Sequence, residues 1–108
     1  MNLLFICSRN IWRSRTAETI FKNDNRFQVK SAGTSKSARI RVNRSQIDWS
    51  DMIFVMEKKH RERLEELFGD ALDSKELIVL DIPDEYQYMD EDLIENLRDS
   101  VEYFLKSV

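Results

Sequence analysis

An α/β fold, with a four-stranded parallel sheet held between helices in three layers (α/β/α), is what the sequence predicts, on two observations. Short apolar runs alternate with helical segments along the whole chain, and strands separated by helices pair in parallel with both faces covered. The runs themselves, such as Leu3-Leu4-Phe5-Ile6 and Met52-Ile53-Phe54-Val55-Met56, are apolar at every position, as strands buried on both sides are. The length of 108 residues suits one domain over 1–108, with a modest core.

Each element has its own justification. Asn2–Cys7 is the first strand. Residues 13–22 place Ala17, Ile20 and Phe21 on one face and read as a helix. Phe27, Val29 and Ser31 alternate with polar neighbours, which predicts a second strand over 27–31. Residues 42–49 form a short helix and 52–56 a third strand. Lys58–Phe68 is a charged helix that Gly69 ends. The fourth strand, 77–80, ends at Asp81. Asp90 caps a last helix whose Leu93, Ile94, Leu97, Val101, Phe104 and Leu105 make one apolar stripe.

Composition narrows the class. Hydrophobic residues make up 42% and charged residues 34%, as in ordinary soluble proteins. The apolar opening run is too short for a signal peptide or a membrane span. A single cysteine, Cys7, makes no internal disulfide, and a reducing cytoplasm is the expected location. No Cys/His cluster exists to bind metal, and no cofactor is expected. Residues 1–50 hold 10 Lys+Arg against 3 Asp+Glu, while residues 51–108 hold 7 against 17. The basic half attracts anions, yet the arginine-rich stretch 36–44 reads first as a solvated loop, and nucleic acid is not an expected partner.

The chemistry concentrates in Cys7-Ser8-Arg9-Asn10-Ile11-Trp12-Arg13-Ser14. A thiol at a strand end, five residues, then an arginine at a helix start form a loop whose N–H groups converge on a phosphate. The guanidinium closes the loop with two parallel hydrogen bonds. Cysteine attacks phosphorus as thiolate, and the helix start, the inward N–H groups and Arg13 all favour the anion. Ser14 stands ready to donate to the sulfur. Ser8, Arg9, Asn10, Ile11, Trp12 and Arg13 are the expected phosphate-binding residues. The loop has no glycine, and Asn10 best tolerates the positive φ such a turn needs; its amide can brace the loop against Ser31. The plain alternative, a buried strand cysteine with a surface arginine, does not account for the strand-to-helix setting.

Hydrolysis through a cysteinyl-phosphate also needs an acid for the leaving group. Asp81 and Asp84, in Leu80-Asp81-Ile82-Pro83-Asp84-Glu85-Tyr86, are the candidates, Asp81 first. Tyr86 and Tyr88 are candidate walls for an aryl substrate or packing residues, and Trp12 and Trp49 candidate lining of the opening. His60, within Lys58-Lys59-His60-Arg61, reads as solvent-exposed helix.

These residues resemble the low-molecular-weight protein tyrosine phosphatases, whose signature is a strand followed by C-x5-R-S with asparagine third after the cysteine. Ser31-Ala32-Gly33-Thr34, the 51–56 segment and the last helix extend the resemblance. It implies Cys7 as nucleophile, Arg13 as phosphate clamp, Ser14 as thiolate partner, and Asn10 as a brace near Ser31. Substrates implied are a phosphorylated protein or a small aryl phosphate. The family's acid precedes a proline at the end of the fourth strand; here Ile82 separates Asp81 from Pro83. Arg9 stands where glycine is usual, Trp12 where a second cysteine is common and Arg15 where proline is usual. The chain is short between Thr34 and Asp51, where members carry a helix and pocket aromatics. Related arsenate reductases need further cysteines, and related arginine phosphatases tend to carry threonine where Ile11 stands. Two other classes stay open: a phosphate-binding module with weakened chemistry, and a phosphocysteine carrier.

Overall fold

The computed structural model describes residues 1–106. In chain order it contains β1 (Asn2–Cys7), α1 (Arg13–Phe21), β2 (Gln28–Gly33), α2 (Arg44–Trp49), β3 (Met52–Val55), α3 (Lys58–Phe68), a 3-10 turn (Gly69–Leu72), β4 (Glu76–Val79) and α4 (Glu91–Leu105). The four strands pair in parallel in the order β2-β1-β3-β4, the α/β sheet that the alternation of elements predicts.

Alternate residues of the strands feed two cores. Leu3 and Phe5 of β1 with Met52 and Phe54 of β3 face α1 and α4, packing on Ala17, Phe21, Leu93, Leu97 and Val101. Phe5 lies between Phe21 and Phe54 at centroid distances of 5.7 and 5.3 Å. Leu4 and Ile6 with Ile53 and Val55 face the other way, onto Val42, Ile47 and Leu64. Covering both faces removes any need for polar alternation in the central strands. No described helix is long and apolar enough to cross a membrane.

Boundaries differ from the sequence reading for local reasons. Strand β2 continues to Gly33, because Ser31, Ala32 and Gly33 register with Phe5, Ile6 and Cys7. Helix α2 starts at Arg44, since Asn43 is its cap: the Asn43 side chain accepts from the Gln46 N–H at 2.9 Å, and Gln46 returns the bond at 3.0 Å. Gly69 ends α3 with φ 43°, and the Asp90 carboxylate accepts from the N–H groups of Asp92 and Leu93. Strand order and polarity put Cys7, Gly33, Val55 and Val79 along one carboxyl rim, where ligands of open parallel sheets bind.

Candidate active site

The loop between β1 and α1 folds around its own backbone. Asn10 takes φ 59°, the left-handed conformation that asparagine tolerates better than most residues. The carbonyls of Cys7, Ser8 and Arg9 accept from the N–H groups of Thr34, Ser35 and Arg39 at 3.0, 2.9 and 2.9 Å. Arg39 Nε donates to the Asn10 carbonyl at 3.0 Å. Four consecutive carbonyls therefore point back into the segment 34–39. Among the described residues, the N–H groups of Ser8, Arg9, Ile11, Trp12, Arg13 and Ser14 donate to no protein acceptor, leaving them free for an anion. The stretch 36–44 is thus more than the solvated loop its charge suggested; part of it straps the phosphate loop from behind.

Gly33 allows that strap to approach. A Cβ there would lie 2.5 Å from the Ser8 carbonyl oxygen and 2.7 Å from the Ala38 Cβ; the first is held by the Ser35 N–H and the second by the Ala38 N–H bond to the Ser35 carbonyl. Gly33→Ala is expected to cost about 1–3 kcal/mol of stability and to weaken phosphate binding. Urea unfolding and phosphate inhibition measure the two effects.

A donor chain ends on the sulfur. Ser31 Oγ donates to the Glu18 carboxylate, so its oxygen is left to accept from Asn10 Nδ2 at 2.9 Å. The second hydrogen of that amide goes to Ser14 Oγ at 2.7 Å. Ser14 then has its own hydrogen for Cys7 Sγ, 2.9 Å away, and the Asn10 N–H approaches the same sulfur at 3.3 Å. Cys7, Asn10, Ser14 and Ser31 are all buried. The Ser14 hydroxyl and the Asn10 N–H thus both meet the sulfur.

Arg13 is 2% exposed and held from the far side. Its Nη1 donates to Glu57 Oε2 at 2.7 Å and to the Ile82 carbonyl at 2.8 Å. Burial works against ionisation of Glu57, but the hydrogen bond and charge of Arg13, with Lys59 and His60 adding to them, outweigh it and hold the carboxyl below its ordinary value. The sequence reading passed over Glu57 and Glu18. Their signals were positional: Glu57 lies just past β3 on the rim that carries Cys7, and Glu18 is one helical turn after Ser14.

Of the two candidate aspartates, the structure brings Asp84 and not Asp81 to the loop. A cavity of about 110 Å³ is lined by Cys7, Ser8, Arg9, Ile11, Trp12, Arg13 and Asp84; Asp81 is not among them. Asp81 is exposed and takes φ 57°. The chain then turns to bury Ile82 and give its carbonyl to Arg13, which carries the next carboxylate, Asp84 Oδ1, to 3.8 Å from Arg13 Nε. With about 30 Å³ per water-sized group, the cavity has room for a phosphoryl group and the first atoms of its ester.

His60 is corrected: it is 1% exposed, not solvent-facing. It shares the inner face of α3 with Leu64, one turn on, a spacing that the reading from its charged neighbours did not take into account. Its Nδ1 accepts from the Glu57 N–H at 3.0 Å, and its Nε2 is 2.8 Å from Ser8 Oγ. Burial, then the Arg13 charge, lower its pKa to about 4. An unfolded histidine titrates near ~6.5, so between these values only the unfolded chain takes the proton. Stability from the neutral ring is complete above about pH 6.5 and is lost as pH falls towards 4, at up to about 1.4 kcal/mol per pH unit. Urea midpoints at pH 7 and pH 5 should show the fall, and His60→Gln should flatten it.

The other aromatic expectations divide. Trp12 is 43% exposed and borders the cavity. Trp49 does not: its carbonyl accepts from Asn2 Nδ2 at 2.9 Å, which places it at the opposite, amino end of β1. Tyr86 packs against the core beside α4. Tyr88 hydrogen-bonds Thr19 at 2.8 Å and lies under the Arg15 guanidinium at 4.4 Å. Neither tyrosine lines the cavity, so both pack and neither forms a wall.

Comparison with known proteins gives three findings. Residues 2–48 match the family model described as low molecular weight phosphotyrosine protein phosphatase. No curated protein sequence matches the chain. Among solved structures, the low molecular weight protein tyrosine phosphatase of Streptococcus pyogenes superposes with a TM-score of 0.80 at 18% identity, covering 99% of this chain and 92% of that one. Vibrio vulnificus Wzb, solved with benzylphosphonate, gives 0.75 at 21%, with 99% and 98% covered. The YwlE arginine phosphatase of Geobacillus stearothermophilus gives 0.73 at 21%, with 98% and 93% covered.

Proposed function

We propose that this chain is a cysteine-dependent phosphatase of the low-molecular-weight type and that it hydrolyses phosphomonoesters of the phosphotyrosine class through a phosphocysteine. One observation carries the reading: a sulfur with two donors on it, Asn10 N–H and Ser14 Oγ, opens on a cavity lined by the loop, the arginine and one carboxylate. The Cys7 thiolate attacks phosphorus while the loop N–H groups and Arg13 hold the equatorial oxygens, where charge spreads in the transition state. Asp84 gives its proton to the departing oxygen. It then takes one from the water that breaks the P–S bond, which releases phosphate and restores the thiolate. Ser14 steadies that sulfur as it leaves. The side chains of Ile11 and Trp12 give the opening an apolar border, which suits an aryl ester better than a phosphorylated guanidinium.

A panel of phosphotyrosine, phosphoarginine, and small aryl and sugar phosphates, run with chelator present, tests this. Phosphotyrosine and aryl esters should turn over fastest. Preference for phosphoarginine would overturn the substrate class, and no turnover at mildly acidic to neutral pH would overturn the activity. Asp84→Asn is expected to lower kcat by about 10²–10⁴-fold on substrates with poor leaving groups, whereas Asp81→Asn should stay within about threefold. The reverse pattern would return the acid role to Asp81.

A further inference from the structure

The Ser8 hydroxyl is the group whose hydrogen bonding the mechanism above does not use. Its oxygen is 2.8 Å from His60 Nε2, and the ring's other nitrogen is occupied as an acceptor by the Glu57 N–H at 3.0 Å. A neutral imidazole accepts at one nitrogen and donates at the other. With Nδ1 accepting, Nε2 carries the hydrogen and donates it to Ser8 Oγ. Ser8 must then direct its own hydrogen elsewhere, and among the described residues that hydroxyl has no second partner. Ser8 lines the cavity next to Cys7. The ring itself is fixed: it is buried and tied at both nitrogens. Arg13, Glu57, Lys59 and Asp84 are the charged groups that bear on it: burial, Arg13 and Lys59 favour the neutral ring and outweigh the opposing pull of the Glu57 and Asp84 carboxylates.

We propose that the Ser8 hydroxyl is an additional hydrogen-bond donor to the transferring phosphoryl group, and that His60 is the positioning residue that turns it towards the cavity. This rests on the phosphatase reading and adds a side-chain donor to the backbone N–H groups of the loop. A donor that meets oxygens gaining charge lowers kcat more than it raises KM when removed.

Substitutions at residue 60 separate this role from the ring's part in capping α3. In His60→Gln the side-chain amide N–H replaces the Nε2 donor; in His60→Asn the carbonyl replaces the Nδ1 acceptor and the donor to Ser8 is lost. Ser8→Ala is expected to lower kcat for an aryl phosphate by about 10–100-fold with KM within about threefold. His60→Asn should match it, His60→Gln should recover most of the rate, and Ser8→Ala/His60→Asn should be no slower than either single variant. Full kcat in Ser8→Ala, or losses that multiply in the double variant, would overturn the proposal. Thermal unfolding of each variant checks the fold, and Ser8→Ala judges the idea alone if His60→Asn unfolds. Should the wild type have no turnover, the phosphatase reading falls by itself. Inorganic vanadate then decides this one: its affinity must drop in Ser8→Ala, and unchanged affinity overturns the proposal.

Discussion

Cys7→Ser is expected to remove turnover of an aryl phosphate by at least about 10⁴-fold while leaving phosphate affinity within a few-fold. A hydroxyl at neutral pH is a far weaker nucleophile than a thiolate and has no base beside it to take its proton. The anion site, by contrast, is made of backbone N–H groups and Arg13, which the substitution does not touch. Serine is the smaller residue and Cys7 is buried, with Ser14 Oγ and the Asn10 N–H already in place to bond its oxygen, so the fold should persist. Steady-state kinetics beside phosphate titration reads both quantities. Retained turnover would remove the covalent mechanism. Lost turnover with lost affinity would mean the sulfur shapes the loop instead of attacking phosphorus.

Arg13→Ala should do what Cys7→Ser does not, removing both turnover and anion affinity, with a fall of about 10³–10⁵-fold in kcat/KM. It also leaves the Glu57 carboxylate without its 2.7 Å partner and the Ile82 carbonyl without a donor, next to a void where a buried side chain stood. Glu57 is about one-third exposed, so water reaches the freed carboxylate, and the expected loss of stability is about 1–3 kcal/mol. Arg13→Lys is the sharper variant. It keeps the charge and most of the volume but has no planar fork to span two phosphate oxygens; an activity loss near that of alanine, with most of the stability restored, is the expected result. Wild-type-like activity in Arg13→Lys would show that charge alone suffices.

The sheet and the loop were legible because their causes are local. Uniformly apolar runs separated by helical segments specify buried parallel strands, and Cys7 to Ser14 carry their chemistry within one stretch of chain. The second half of the site was harder. Asp81 and Asp84 lie three residues apart, and only the turn at Asp81, with Ile82 drawn into the core and its carbonyl taken by Arg13, decides which one meets the cavity. Glu57 and His60 meet the loop across 44 and 52 residues of sequence, and pairing at that range leaves no local pattern. His60 also sits among four charged neighbours that argue for solvent, and it is the fold that buries it beside Leu64 on α3. The backing of the loop by segment 34–39 was missed for another reason: it is made mostly by backbone groups, which composition does not reveal.

Tying four successive carbonyl oxygens to a neighbouring segment means the hollow for the oxyanion is cast before any guest arrives. Little ordering remains to be done at the moment of encounter, so tetrahedral oxyanions such as phosphate, sulfate and arsenate should differ in affinity by their charge and ease of dehydration, and the mould should hold its shape when empty.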